Sequence, residues 1–232
     1  MNEGMNELMR KIRRKWMKLR LQPIRVFCFH HVCAKFDAES MNACDWMPIG
    51  DFKSKVQSMQ RNGVEFITLA EAYRHISHDW IRSKKYAVLT FDDGYASLKE
   101  ILPWLEEQKI PVTLFINGKY LDGKSYRKTP KERYITEKEL FALTLSLIEI
   151  GSHGWEHTDA SKMTESEFAE SIEQNIHVLS THSRYIPFHA YTWGRYTELS
   201  NKTLEERRII PVLIDGMMNY NNSHVIHRVL LD

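Results

Sequence analysis

The amino-acid sequence predicts an α/β fold in a single domain, an incomplete or distorted (β/α) barrel. Apolar β-type runs alternate with segments of helical periodicity along most of the chain. No internal repeat, low-complexity tract or linker divides the 232 residues, a length that suits one large domain. The residues with chemical capacity, His30, Asp92, Asp93, His153, the 190–195 turn and Asp215, all fall just after the C-terminal ends of predicted strands. Parallel α/β architectures assemble their sites on that rim.

The first strand is predicted at residues 24–30, where β-branched and aromatic residues run into a histidine pair. Residues 33–49, polar with Trp46 and Pro48, read as an irregular excursion. Phe52, Val56 and Met59 recur at helical spacing until Asn62-Gly63 stops the helix; a short strand at 66–68 and a helix at 69–76 follow. The central strand, 86–91, ends on Asp92-Asp93-Gly94. Residues 98–108 read as a helix interrupted by Pro103, and 111–117 as a buried strand. The polar stretch 118–133 predicts a long surface loop over a site. Thr136 with Glu139 and Thr164 with Glu167 have capping-box spacing, opening helices that run to about Leu147 and about Thr181. Strands at 147–151, 185–190, 209–214 and 225–231, with a helix at 198–207, complete the pattern. Residues 1–22 form a basic extension and 23–232 the domain.

Composition narrows the function classes. With 32 basic and 30 acidic side chains the net charge is +2, which gives no argument for nucleic acid as a partner. Cys28, Cys33 and Cys44 form no CxxC pair and no even-numbered disulfide framework, as expected in a reducing compartment. No long apolar run precedes residue 24, so the expectation is a cytoplasmic protein without a membrane span. Between Arg10 and Arg20 basic residues interleave with Ile12, Trp16, Met17 and Leu19. That pattern fits a solvated helix or an amphipathic one touching the cytoplasmic face of a membrane through residues 10–20.

Two stretches carry the chemistry. Asp92 and Asp93 bring adjacent carboxylates to the end of an apolar strand, a pair suited to holding a metal and moving a proton. His153 and His157, four apart, point the same way in a helical or tight turn. Two histidines and a carboxylate leave coordination positions open, as in a catalytic rather than a structural metal centre.

Thr90-Phe-Asp-Asp-Gly94 followed by Glu149-Ile-Gly-Ser-His-Gly-Trp-Glu-His157 resembles the polysaccharide deacetylase family, the NodB-homology or carbohydrate esterase family 4 domain, over residues 24 to the C-terminus. A third segment, His189-Ala-Tyr-Thr-Trp-Gly-Arg-Tyr196, is similar to that of the exopolysaccharide poly-N-acetylglucosamine deacetylase subgroup. The resemblance implies a distorted or incomplete (β/α)7-type barrel and metal-dependent removal of an N-acetyl group from an amino sugar. The substrate would be a polysaccharide, a lipid-linked glycan or a related saccharide. It implies Asp93, His153 and His157 as ligands of a divalent metal, Zn2+ in first place, and Asp92 as the general base.

The chain departs from the family where an arginine that orients the base is replaced by Ala190, and where Thr192 and Trp193 stand for proline and tyrosine. Arg228, with Arg195 as rival, is the expected replacement for that arginine. No late apolar strand ends in the family's acid histidine; His30 is expected to serve instead, ahead of His31, His224 and His227, because first and last strands are neighbours in a closed barrel. Tyr95, Tyr191 and Trp193 are expected at the substrate, the first through its backbone N–H, with Trp155 another candidate wall. Hydrolysis of a non-sugar amide and a catalytically silent carbohydrate-binding domain remain the alternatives at this point.

Overall fold

The computed structural model describes residues 7, 22–35, 45–78, 82, 84–125, 133–143 and 147–231. Residues 10–20, on which the expectation of membrane contact rests, lie outside them, as does Cys44. No described helix is long and apolar enough to cross a membrane.

Seven parallel strands close into a ring: β1 (Arg25–Phe29), β10 (Ile226–Leu230), β9 (Ile210–Ile214), β8 (Tyr185–Ala190), β7 (Ile148–Ser152), β6 (Val112–Ile116) and β5 (Lys85–Phe91), which pairs back onto β1. A short strand β4 (Val64–Phe66) pairs with the start of β5 at the fork where β1 joins it. The fold is therefore the expected (β/α)7-type barrel, and its ring is closed. The closing register sets Phe29 beside Phe91, so the next residues, His30 and Asp92, leave adjacent strands side by side.

Helices α1 (Ile49–Arg61), α2 (Leu69–Ile76), α3 (Leu102–Glu107), α4 (Glu137–Ala142), α5 (Glu165–Leu179) and α6 (Glu198–Glu206) occupy the connections. The capping boxes at Thr136 and Thr164 form as read from the sequence, each threonine accepting from the N3 backbone N–H while the glutamate accepts from the threonine's. Several boundaries differ, the short strand expected at 66–68 among them, which falls at Val64–Phe66. His31–Cys33 (β2) and Trp46–Pro48 (β3) form a small parallel pair at the two ends of the stretch 33–49 that was expected to be irregular. Pro103 does not interrupt a helix: it sits in the first turn of α3, where its missing N–H has no partner to lose. The α4 helix stops at Ala142, short of the expected Leu147.

Side chains alternate in and out of the barrel wall. Phe27, Phe29, Leu89, Phe91 and Leu114 face outward into the main apolar cluster with Phe52 and Val56 of α1. The inward-facing Val26, Val88, Phe115, Val212 and Ile226 pack with Leu69, Ala72 and Ile76 of α2, which stoppers the N-terminal end of the ring. Glu149 near the start of β7 accepts from the Leu69 and Ala70 backbone N–H groups, capping that stopper from across the barrel. With the bottom sealed by apolar side chains, polar groups gather at the opposite rim.

Candidate metal and catalytic site

The central strand delivers its carboxylates through a sharp turn. Asp93 has φ 67° and Gly94 φ 75°, and a Cβ at Gly94 would lie 2.8 Å from Ile116 Cδ1. Only glycine fits there, and the reversal sends the two aspartates to different partners.

Asp93 faces two imidazoles. Its Oδ1 lies 3.2 Å from His153 Nε2 and 3.1 Å from His157 Nε2, and all three ligand atoms lie within 4.8 Å of one another. His153 Nδ1 lies 2.7 Å from the Ala190 carbonyl oxygen. A carbonyl only accepts, so Nδ1 carries a proton, which leaves Nε2 as the ring atom turned toward Asp93 and available to a cation. Asp93 Oδ1 is buried with no hydrogen-bond donor aligned on it. A carboxylate oxygen and imidazole lone pairs converging on one point are a set that fits a divalent cation. Burial would raise the Asp93 carboxyl; proton donation from the two imidazoles, when no cation stands between them, would hold it well below the usual carboxylate range.

Asp92 faces the barrel axis instead. Arg228 from β10 meets it with both guanidinium arms, Nη1 to Oδ1 at 2.6 Å and Nη2 to Oδ2 at 2.8 Å. Arg228 is 0% and Asp92 1% exposed, so the pair is desolvated. Thr90 Oγ1 accepts from Nη1 at 3.0 Å, and the guanidinium stands 5.2 Å from the Phe115 ring centroid. Burial would raise Asp92, but Arg228, then His153 and His30, hold it below its ordinary value. His30 presents a ring nitrogen within 4.8 Å of both the Asp92 carboxylate and Cys28 Sγ.

A buried polar network backs the histidine turn. Asn117 Nδ2 donates to the His153 carbonyl (2.6 Å), and Asn175 Nδ2 donates to Ser152 Oγ (2.8 Å), which pairs with His189 Nδ1 (3.1 Å). Burial, with His153 and Arg228 nearby, pushes His189 down to about 3.

Beside His157 opens a cleft of about 370 Å³ lined by Tyr95, Tyr120, Lys124, Ser125, Tyr134 and Trp193. Tyr120, Tyr134, Tyr95 and His31 form a ladder of stacked rings at successive separations of 4.5, 5.1 and 3.9 Å. Trp193, 56% exposed and in the left-handed region at φ 53°, stands edge-on to His157 at 4.6 Å.

The structure thus brings Asp92, Asp93, His153, His157, His30 and Arg228 to one rim. Tyr191 is corrected: it is 0% exposed, packs on Phe168 and donates its hydroxyl to Asn201, so it is core and not a substrate wall. Arg195 pairs with Asp159 at 3.0 Å and does not orient Asp92. His227 pairs with Asp215 at 2.6 Å on the flank, and His31 is buried against Tyr95. Sequence reasoning missed Tyr120, Tyr134 and Asn175, and read Cys28 only as a thiol outside any disulfide framework. The two tyrosines fall at the borders of the polar loop singled out as a cover; Asn175 carries no local signal.

A family model described as polysaccharide deacetylase matches residues 81–208. A protein of Bacillus subtilis (strain 168), YxkH, whose name assigns it provisionally to the polysaccharide deacetylases, is 26% identical over 165 residues. That match covers 69% of this chain and 55% of the other, so the chain spans about half the length of the curated relative it matches. Among solved structures, IcaB from Ammonifex degensii superposes with a TM-score of 0.76 at 20% identity, covering 91% of this chain and 92% of that one. The Streptococcus pyogenes deacetylase PplD, in complex with acetate, gives 0.78 at 18%, covering 91% and 93%. At these identities the structural likeness speaks for the fold.

Proposed function

The chain belongs to the polysaccharide deacetylase family, and from that premise we propose that it is a metal-dependent hydrolase removing the N-acetyl group of an amino sugar within a saccharide chain. The observation that carries the reading is a buried carboxylate held ionised by a bidentate arginine, Asp92 with Arg228, directly beside the Asp93, His153 and His157 cluster. The arginine absent at position 190 has a functional counterpart in Arg228, which speaks against a silent domain.

A divalent cation held by Asp93, His153 and His157 would polarise the acetyl carbonyl and acidify the attacking water. Asp92 takes the proton of that water, kept anionic and in plane by Arg228. The Tyr95 backbone N–H supports the developing oxyanion. His30, on the neighbouring strand, passes a proton to the leaving amine as the C–N bond breaks, giving acetate and free amine. The Ala190 carbonyl fixes the His153 tautomer, and Trp193 and Tyr120 offer faces for sugar rings. The alternation of basic and apolar side chains over 10–20 supports placement at the cytoplasmic face of a membrane as part of the same reading.

Acetate release from N-acetylglucosamine oligomers tests it, before chelation, after chelation and after reloading with Zn2+. Asp93→Asn should lose bound metal and turnover together; Asp92→Asn should keep the metal and lose roughly 10²–10⁴ in kcat. Full turnover by Asp93→Asn or by chelated protein would sink the proposal. Turnover of small acetylated amines alone would redirect it to a non-sugar amide.

A further inference from the structure

The floor beneath Asp92 contains a side chain that the proposed mechanism leaves unused. Cys28, on β1, is 0% exposed and directs its Sγ at Asp92 Oδ2, 3.4 Å away. The same oxygen receives Arg228 Nη2 at 2.8 Å and is the one that lies 4.0 Å from His153 Nε2, toward the metal cluster. Oδ1 receives the other arm of Arg228, which Thr90 Oγ1 fixes in turn. Thr90 itself is anchored by donating to the Phe27 carbonyl at 2.9 Å, one residue before the cysteine. Arg228, Thr90 and Cys28 therefore make one layer across three adjacent strands, with the carboxylate resting on it.

We infer that Cys28 is a positioning residue of this site: its thiol donates to Asp92 Oδ2 and, with the two guanidinium bonds, fixes the plane of the carboxylate. Two parallel bonds from one guanidinium leave the carboxylate able to rock about the line joining Asp92 to Arg228. A third donor from a different strand removes that freedom. A thiol suits the place because it donates weakly, so it directs the oxygen without taking much of its basicity. The carboxylate is in turn the strongest acceptor beside a buried S–H. The inference rests on Asp92 being the base, but the contact itself does not.

Two measurements on the full chain test it. The S–H stretch falls in an infrared region free of other protein bands, and a Cys28→Ala difference spectrum isolates the Cys28 band from those of Cys33 and Cys44. Recorded on metal-free protein, that band should move to higher frequency in Asp92→Asn, whose neutral amide is the weaker acceptor; an unchanged band overturns the proposal. In the loaded enzyme, Cys28→Val and Cys28→Ala should lower kcat about two- to five-fold, the worth of one weak hydrogen bond, at unchanged KM. Cys28→Ser, which restores a donor, should recover most of the loss. Wild-type kcat in the valine variant, or a serine variant no better than valine, overturns the assignment, because packing rather than donation would then matter. Full turnover by Asp92→Asn would instead remove the base reading, while the band shift would still report the bond.

Discussion

Replacing Arg228 by methionine keeps most of the side-chain volume in the barrel axis and removes the charge beneath Asp92. Both partners are almost fully buried and joined by two short bonds. Removing one member of such a pair leaves the other as an uncompensated ion, at a cost of about 3–5 kcal/mol. Asp92 escapes part of that penalty by taking up a proton, which changes the sign of its pH dependence. In the native chain its carboxyl is depressed below the ordinary 3.8, so its contribution is present above that value and lost as pH falls through the folded-state pKa. In Arg228→Met burial raises it, so the variant should lose stability as pH climbs above about 4. Denaturant titrations of Arg228→Met, Asp92→Asn and the double variant at acidic and at mildly alkaline pH measure both effects. The single arginine variant should be less stable than the double variant, with a coupling above about 2 kcal/mol that grows with pH. Additive losses, or a loss below about 1 kcal/mol, would refute the picture of a desolvated pair. Arg228→Lys should retain the charge but not the bidentate geometry, keeping more stability than activity.

His189, held neutral with its pKa down at about 3, makes the metal-free protein lose stability as pH falls from 6.5 toward that value, because the unfolded chain binds the proton first. His189→Gln should flatten this slope by up to about 1.4 kcal/mol per pH unit, read from urea midpoints across that range. Trp193→Ala should raise KM for oligosaccharides several-fold with little loss of stability, since the left-handed backbone there gains nothing from a tryptophan; steady-state kinetics and a thermal melt separate the two. Gly118→Ala would set a Cβ 2.5 Å from Asn175 Oδ1 and 2.9 Å from the Trp155 ring. A loss of about 1–3 kcal/mol in chemical denaturation, with weakened Zn2+ uptake, is expected from disturbing the network behind His153.

The site was legible where a residue's neighbours in sequence are also its neighbours in space. Asp92 and Asp93 end an apolar strand, and His153 and His157 end the next but one, so local pattern placed all four on the rim. Arg228 came from the resemblance and His30 from the inference that the ring closes; the seating of β1 between β5 and β10 sets both beside Asp92. Tyr191 was misplaced because an aromatic at a strand end satisfies a cleft and a core equally well, and α5 and α6 cover that flank. The stacking of Tyr120 on Tyr134 joins residues across a polar loop, where periodicity carries no information. Pro103 was read as a breaker because the turn of 3-10 helix before it, Ala96–Glu100, has the same apolar spacing as the helix it precedes.

The seating of β1 also bears on how the protein is made. Asp92 and Arg228 are 136 residues apart, and β1 finds one of its two partners in β5 but the other only in β10. A nascent chain that has not yet emitted residue 226 has an open seam between β9 and β1, and Asp92 sits in it without a counter-ion. Until the last strand docks, Asp92 lacks the two guanidinium bonds that hold its carboxylate in plane. On the proposed mechanism, a chain whose last strand has not docked, even one that holds Asp93, His153 and His157 in place, therefore lacks the arginine that orients its base and should turn over poorly.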